Sequence, residues 1–377
     1  MPLLRFLWRI VRAILIPLVV VVAIPVLGFA YGWLTTSPPP PLTDPGTRVD
    51  APAPELSAQI RREIPGYQRP EESTFLTYPE WSIVYAAREY ADFVADRSES
   101  DFPYWRTIGR FWQDYAMVVR ATEDYPFNSQ NHVMLVVIGT SHTIEHAIQS
   151  VWENTVGRLT EWAAGWEKTR QDIFQAEVAA EYASFLDQTP WYRFPYAEKR
   201  AGLWRLPNAN GMATLRSRER KLAFGLAYTI KQAYAGLITA GLAATTDPAF
   251  LDIHAWAQGP VWEAIAGEPD TELEMELGDA GVVFVTRRYQ VFTDMIPRLI
   301  EKGVRFVEIG GNDRIFLTVL SNEAIRLPDG TSELFAYQVP ADPALRRTGI
   351  VASVPRLHEV LPEIMRNGVR LEHVYDY

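Results

Sequence analysis

His142, Glu145 and His146 are the residues of this chain whose types and spacing best suit chemistry. Positions four apart on a helix share a face, so the two imidazoles project together with the carboxylate beside them. A helix offers two ligands to zinc in this way, with the glutamate placed to take a proton from metal-bound water. The expectation is a divalent metal on His142 and His146, with Glu145 as the catalytic base. A structural alternative puts His142, His146, Gln149 and Glu153 on a solvated face, opposite a core stripe of Ile144, Ile148 and Val151.

The string fits the H-x-x-E-H signature of inverzincin peptidases, and the stretch Gly139 to His146 is similar to the sequence around that motif. The resemblance implies a third ligand, a glutamate farther along the chain. Glu219 lies 73 residues past His146 and suits that role, with Glu153 and Glu181 as alternatives. The similarity stops at these residues, because the motif sits in a tryptophan-rich helical stretch rather than in that family's paired α/β halves.

Other chemistries find no footing. The absence of cysteine excludes disulfides, zinc–thiolate sites, iron–sulfur clusters and cysteine nucleophiles. No histidine follows an acidic residue by three, as a ferritin-like di-iron bundle requires. No phosphate-binding loop, dinucleotide fingerprint or nucleophile elbow is present. His132, His254, His358 and His373 stand alone, and the pairs Arg287-Arg288 and Arg346-Arg347 read as ordinary surface arginines at sheet ends.

The elements that must position these residues follow from composition and periodicity. The chain has 377 residues, 48% hydrophobic and 22% charged, which is globular and excludes disorder, a coiled coil or a collagen-like fibre. A net charge of −10 argues against nucleic acid as a partner. Ala13 to Ala30 carries no charge and would span roughly 27 Å as a helix, about the thickness of a bilayer core. Arg5, Arg9 and Arg12 precede it and no basic residue follows until Arg48, which predicts an amino terminus inside and a body outside the inner membrane. A cleaved signal peptide ending near Gly28-Phe29-Ala30 is the alternative.

The expected organisation is a basic end at 1–12, a transmembrane helix at 13–31, a proline-rich linker at 32–59, a helical domain at 60–246, a linker at 247–279 and a repeat domain at 280–377. Ala213 to Leu242 reads as a helix whose apolar stripe is Leu215, Leu222, Leu226, Ile230, Leu237 and Ile238. The segment from Phe292 to Phe306 recurs from Leu357 to Leu371 at a constant offset of 65, pairing Pro297 with Pro362 and Gly303 with Gly368. Two β-α-β repeats predict one ferredoxin-like plait, giving an α+β fold overall. Gly310-Gly311-Asn312-Asp313 predicts a hairpin turn inside it, and an exposed edge strand would allow a homodimer.

Two functions are thus expected. The first is a membrane-anchored envelope protein whose aromatic helical domain holds an apolar or lipid-like ligand or a membrane partner. The second is a zinc-type hydrolase using His142, Glu145, His146 and Glu219.

Overall fold

A computed structural model of the chain describes residues 22–39, 54–242 and 251–377. The helices are α1 (22–35), α2 (Pro54–Glu63), α3 (Ser73–Asp96), α4 (Tyr104–Ala121), α5 (Ser129–Trp152), α6 (Arg158–Ala163), α7 (Arg170–Leu186), α8 (Tyr196–Arg205) and α9 (Ala213–Leu242). A π-helical turn, Glu153–Gly157, joins α5 to α6 without a break. Then follow β1 (Asp252–Gln258), α10 (Val261–Ile265), β2 (Glu272–Glu276), β3 (Val282–Arg287), α11 (Gln290–Glu301) and β4 (Arg305–Ile309). The chain ends with β5 (Arg314–Ser321), β6 (Thr331–Gln338), β7 (Arg346–Ser353), α12 (Leu357–Ile364) and β8 (Arg370–Tyr375).

The expected single plait is corrected to two four-stranded antiparallel sheets, ordered β2-β3-β1-β4 and β6-β7-β5-β8. Each has the strand order of a β-α-β-β-α-β plait. The first keeps both helices, α10 and α11, while residues 322–330 stand in place of the first helix in the second. The repeat at offset 65 is the second half of each sheet unit, β3-α11-β4 and β7-α12-β8, rather than two halves of one. Gly303 and Gly368 both take positive φ, 91° and 78°, where each helix turns into its last strand. The Gly310-Gly311-Asn312-Asp313 turn joins the two sheets instead of two strands of one. The stretch 247–279 carries β1, α10 and β2 from residue 252 onward.

One apolar cluster unites the facing sides of both sheets with the three helices. It includes Ile253, Ala255 and Phe284 from the first sheet and Leu317, Ile350 and Val374 from the second, around Ile296, Leu299 and Leu361. The far side of the first sheet is covered by α2, through Ile60, Trp256, Val283 and Val307. Glu308 on β4 fastens it, accepting hydrogen bonds from Ser57 (2.5 Å) and Tyr67 (2.8 Å). Strand alternation makes two-sided burial possible, since successive side chains enter different cores.

The far side of the second sheet shares a core with α3 and α4, including Phe75, Tyr78, Trp81, Phe111, Trp112, Phe316 and Tyr375. Thr74 donates to the Tyr375 carbonyl at 2.5 Å and accepts from the Phe316 amide at 3.1 Å. The Tyr85 and Tyr375 hydroxyls meet at 2.6 Å. Arg347, expected at the surface, is buried and holds Glu372 through two 2.7 Å bonds, with Glu89 of α3 at 3.3 Å. Packing on this sheet supports α3 from Ser73 onward, with Pro79 inside the helix.

The expected membrane span is also corrected. Residues 13–21 lie outside the described residues, and among those described no helix is long and apolar enough to cross a membrane. The remainder of the stretch, in α1, lies sideways on α4. A Cβ on Gly28 would fall 2.3 Å from the Trp112 indole, and one on Gly32 would fall 2.0 Å from the Trp112 carbonyl oxygen. Glycine four apart thus lets the two helices touch. Arg120 stacks over Trp33 at 4.0 Å and donates to the Thr36 carbonyl at 2.6 Å. The signal-anchor, the inner-membrane location, the extracytoplasmic body, the membrane partner and the envelope protein holding a lipid-like ligand all depend on that span and are corrected with it.

Gly32→Leu forces a side chain into the α4 backbone and should expel α1. Amide exchange is expected to lose its protection across 22–35, with stability falling by about 1–3 kcal/mol. Unchanged protection would show that the close approach does not hold the helix.

Candidate functional site

The histidine pair lies on α5 and faces inward. His142 is 6% exposed, and its ring centroid is 4.0 Å from that of His146. The His146 Nδ1 lies 3.1 Å from the His142 carbonyl oxygen and is placed to donate to it. Phe111 and Tyr104 of α4 flank the two rings at 5.9 Å each. Burial, then the neighbouring His146, drives the His142 pKa well below its ordinary value. Burial, then the Lys231 ammonium, takes His146 down to about 4. Both rings are therefore neutral at pH 7.

The other members of the expected site point elsewhere. Glu145 pairs with Lys231 of α9 at 2.7 Å. Glu219 accepts from the Trp152 indole at 2.6 Å, from Thr160 at 3.1 Å and from Arg220 at 2.6 Å. Of the alternatives, Glu153 is bound to Arg220 and Glu181 to Lys199 at 2.7 Å. Among the described residues no group of three His, Cys, Asp or Glu is placed to hold a metal ion. The zinc-type hydrolase is corrected accordingly: two of its ligands are adjacent, but its base and third ligand are committed to cationic partners.

A different constellation gathers around Arg220, which is completely buried. Its guanidinium donates to Glu99 at 2.8 Å, to Glu153 at 2.8 and 3.0 Å and to Glu219 at 2.6 Å. One turn earlier, Arg216 donates to Asp172 of α7 at 2.9 Å, to Glu219 at 3.3 Å and to the Gly157 carbonyl at 3.0 Å. Glu99 also receives the Tyr90 hydroxyl, and Glu161 of α6 accepts from Ser100 at 2.7 Å and from Ser98. The cluster thereby ties α9 to α3, α6, α7, the π-turn and the segment before α4. The turn needs Gly157, since a Cβ there would meet the Glu153 carboxylate at 2.4 Å. Burial, then the like charge of Glu99, lifts Glu153 up to about 8 against the pull of Arg220.

With charges drawn inward, the apolar stripes face out. Ile148 is 64% exposed and Val151 60%, while Glu153 is buried, so the expected faces of α5 are reversed. On α9 the stripe of Leu215, Leu222, Leu226 and Ile230 is exposed, and the buried stripe is Arg216, Arg220, Phe224 and Tyr228. Leu159 and Trp162 of α6 extend the exposed surface. Contiguous apolar patches beyond about 300–600 Å² are uncommon on monomers and mark interaction sites. The inward stripe escaped the sequence analysis, although arginine and aromatic residues spaced every four positions were its signal.

Two Phe-Pro-Tyr strings, Phe102 to Tyr104 and Phe194 to Tyr196, open helices. Pro103 and Pro195 cap α4 and α8, and in each case the tyrosine amide donates back to the phenylalanine carbonyl, at 2.9 and 2.8 Å. Phe102, Tyr104, Phe194 and Tyr196 are all buried there.

The chain matches no protein-family model, no curated protein and no solved structure. Its function must be argued from its own geometry.

Arg220→Leu leaves three buried carboxyl groups without their shared cation and should destabilise the chain by about 3–5 kcal/mol in urea unfolding. Arg158→Ala breaks the exposed 2.7 Å pair with Asp101 and a 3.3 Å bond to the Ser100 carbonyl, and should cost below about 1 kcal/mol. Equal effects would contradict the assigned role of the cluster.

Stability should also follow pH with a definite sign. Glu153 at about 8 and Glu89, raised by burial to about 7, lie above their unfolded values, so their contribution is lost as pH rises through the neutral range. His146, depressed to about 4, contributes above its unfolded value and loses that contribution as pH falls toward 4. Glu153→Gln should flatten the decline between pH 6 and 9 seen in denaturant midpoints; an undiminished slope would show that Glu153 does not titrate there.

Proposed function

We propose that this chain is an assembly subunit, whose helical region is completed by another polypeptide resting on α5, α6 and α9. The observation that carries the proposal is the reversed polarity of α5 and α9, with guanidinium and carboxylate groups inside and Leu, Ile, Val and Trp outside. Exposed apolar area has a cost in water that association removes. The ion pairs inside make the surface rigid before it binds, which lowers the ordering penalty of association. The two sheets support the same role, since the core shared by α3, α4 and the second sheet gives the helices a fixed base.

The test is the size of the full chain isolated with whatever accompanies it, measured by light scattering. The wild type is expected in a protein complex above the single-chain mass. Leu222→Glu with Leu226→Glu should fall to the single-chain mass while keeping its helical circular dichroism, as exposed substitutions generally change stability by about 0.5 kcal/mol or less. A wild type that runs as a single chain, or that floats on phospholipid vesicles with no protein attached, would overturn the proposal.

A further inference from the structure

We infer that Asn210, in the loop between α8 and α9, is a site of self-modification, where the chain converts its own asparagine to isoaspartate and thereby unhooks the loop from Ser217. The inference is independent of the assembly role proposed above.

Chain order supplies the reactive pair. Asn210 precedes Gly211, and a side-chain amide in front of glycine is open to attack by the next backbone nitrogen, because no Cβ screens it. Both residues are exposed. Gly211 takes φ 62°, and a Cβ built on it would meet no atom within 4 Å, so solvent reaches the pair. Among the described residues nothing bonds to the Asn210 side chain, and the Gly211 amide donates to no acceptor.

Two other asparagines serve as internal comparisons. Asn208 is exposed in the same loop, but it precedes Ala209, whose amide is held by Ser217 at 3.0 Å. Asn367 also precedes a glycine, but within the short helical turn Arg366–Gly368, a backbone form that resists ring closure.

The step balances with water as the co-reactant. The Gly211 nitrogen gives its proton to solvent hydroxide and bonds to Asn210 Cγ. The Cγ–Nδ2 bond breaks, and Nδ2 leaves as ammonia with a proton returned by water. A second water then opens the cyclic imide. Breaking its nitrogen–Cγ bond gives aspartate. Breaking the bond from nitrogen to the main-chain carbonyl carbon gives isoaspartate, whose backbone runs through Cβ and Cγ and is longer by one carbon.

That carbon enters a closed ring. The Ala209 carbonyl accepts from the Thr214 hydroxyl at 2.7 Å, so residues 209–214 are tied end to end with Asn210 inside. Ser217, which holds the Ala209 amide, is 0% exposed and adjoins Arg216 of the ion-pair cluster. Lengthening the ring draws Ala209 away from both partners. Aspartate keeps the ring length and places a carboxylate before α9, where the first helical amides favour it.

The test incubates the full chain at mildly alkaline pH and digests it with trypsin, which releases residues 206–216 with Asn208 and Asn210 in one peptide. Mass spectrometry with electron-transfer fragmentation reads the conversion at each position. Asn210 is expected to convert first, with isoaspartate exceeding aspartate, and Asn208 and Asn367 to lag behind. Gly211→Ala should lower the rate at Asn210 to that of Asn208. Amide exchange should show Ala209 losing its protection in the aged chain and keeping it in Asn210→Asp, which carries the charge without the added carbon. Conversion at Asn210 no faster than at Asn208, conversion led by Asn367, or an Ala209 amide still protected in the aged chain would each overturn the inference.

Discussion

Everything in the helical region turns on a buried arginine. Arg220 has no contact with solvent, and a guanidinium in that position is tolerable only if every donor finds an acceptor. Glu99, Glu153 and Glu219 supply the acceptors, and they come from three separate parts of the chain. Once those carboxylates are drawn inward, the helices carrying them cannot also bury their opposite faces. The exposure of Ile148, Leu222 and Leu226 is therefore the consequence of where Arg220 sits. Cost and consequence are coupled: the same ties that desolvate Arg220 and its three carboxyl partners hold an apolar face open for association.

The carboxyl-terminal sheets serve that arrangement as a foundation. Tyr375 takes part in the second sheet, accepts at its carbonyl from Thr74 of α3 and meets the Tyr85 hydroxyl, so one residue links strand, helix and side-chain network. Arg347 does the same on β7, joining Glu372 of β8 to Glu89. Such buried ionic links contribute little net stability against an apolar equivalent, but breaking one partner is costly, so they restrict the helices to one orientation on the sheet. The core the two plaits share buries one face of each sheet, and α2 on the first and α3 with α4 on the second bury the other.

Element positions were readable wherever period alone decides them. Ala213–Leu242 has the expected bounds, and Val133 to Ile138, β-branched enough for a strand, lies within the long helix α5. The offset of 65 correctly relates α11 to α12. What was hidden depends on distant residues. Periodicity shows that α9 has two faces but not which is inside, and the inside is set by Glu99, 121 positions away from Arg220. The HxxEH string looked like a metal site because three residues cannot reveal that Lys231 and Arg220 hold the glutamates. Strand β1 was missed because its partner β3 comes after an intervening helix and strand, so no hairpin signal marks it.

The claim that polarity is reversed can be tested directly, because the native chain contains no cysteine and each introduced thiol reports alone. Single variants Ile148→Cys and Leu222→Cys are compared with Ser150→Cys and Ser217→Cys, neighbours on the same two helices, in the chain freed of partners under native conditions. Maleimide labelling is predicted to be rapid at the two apolar positions and slow at the two serine positions, which are 3% and 0% exposed. Rapid labelling at the serines with protection at Ile148 and Leu222 would contradict the account at its root.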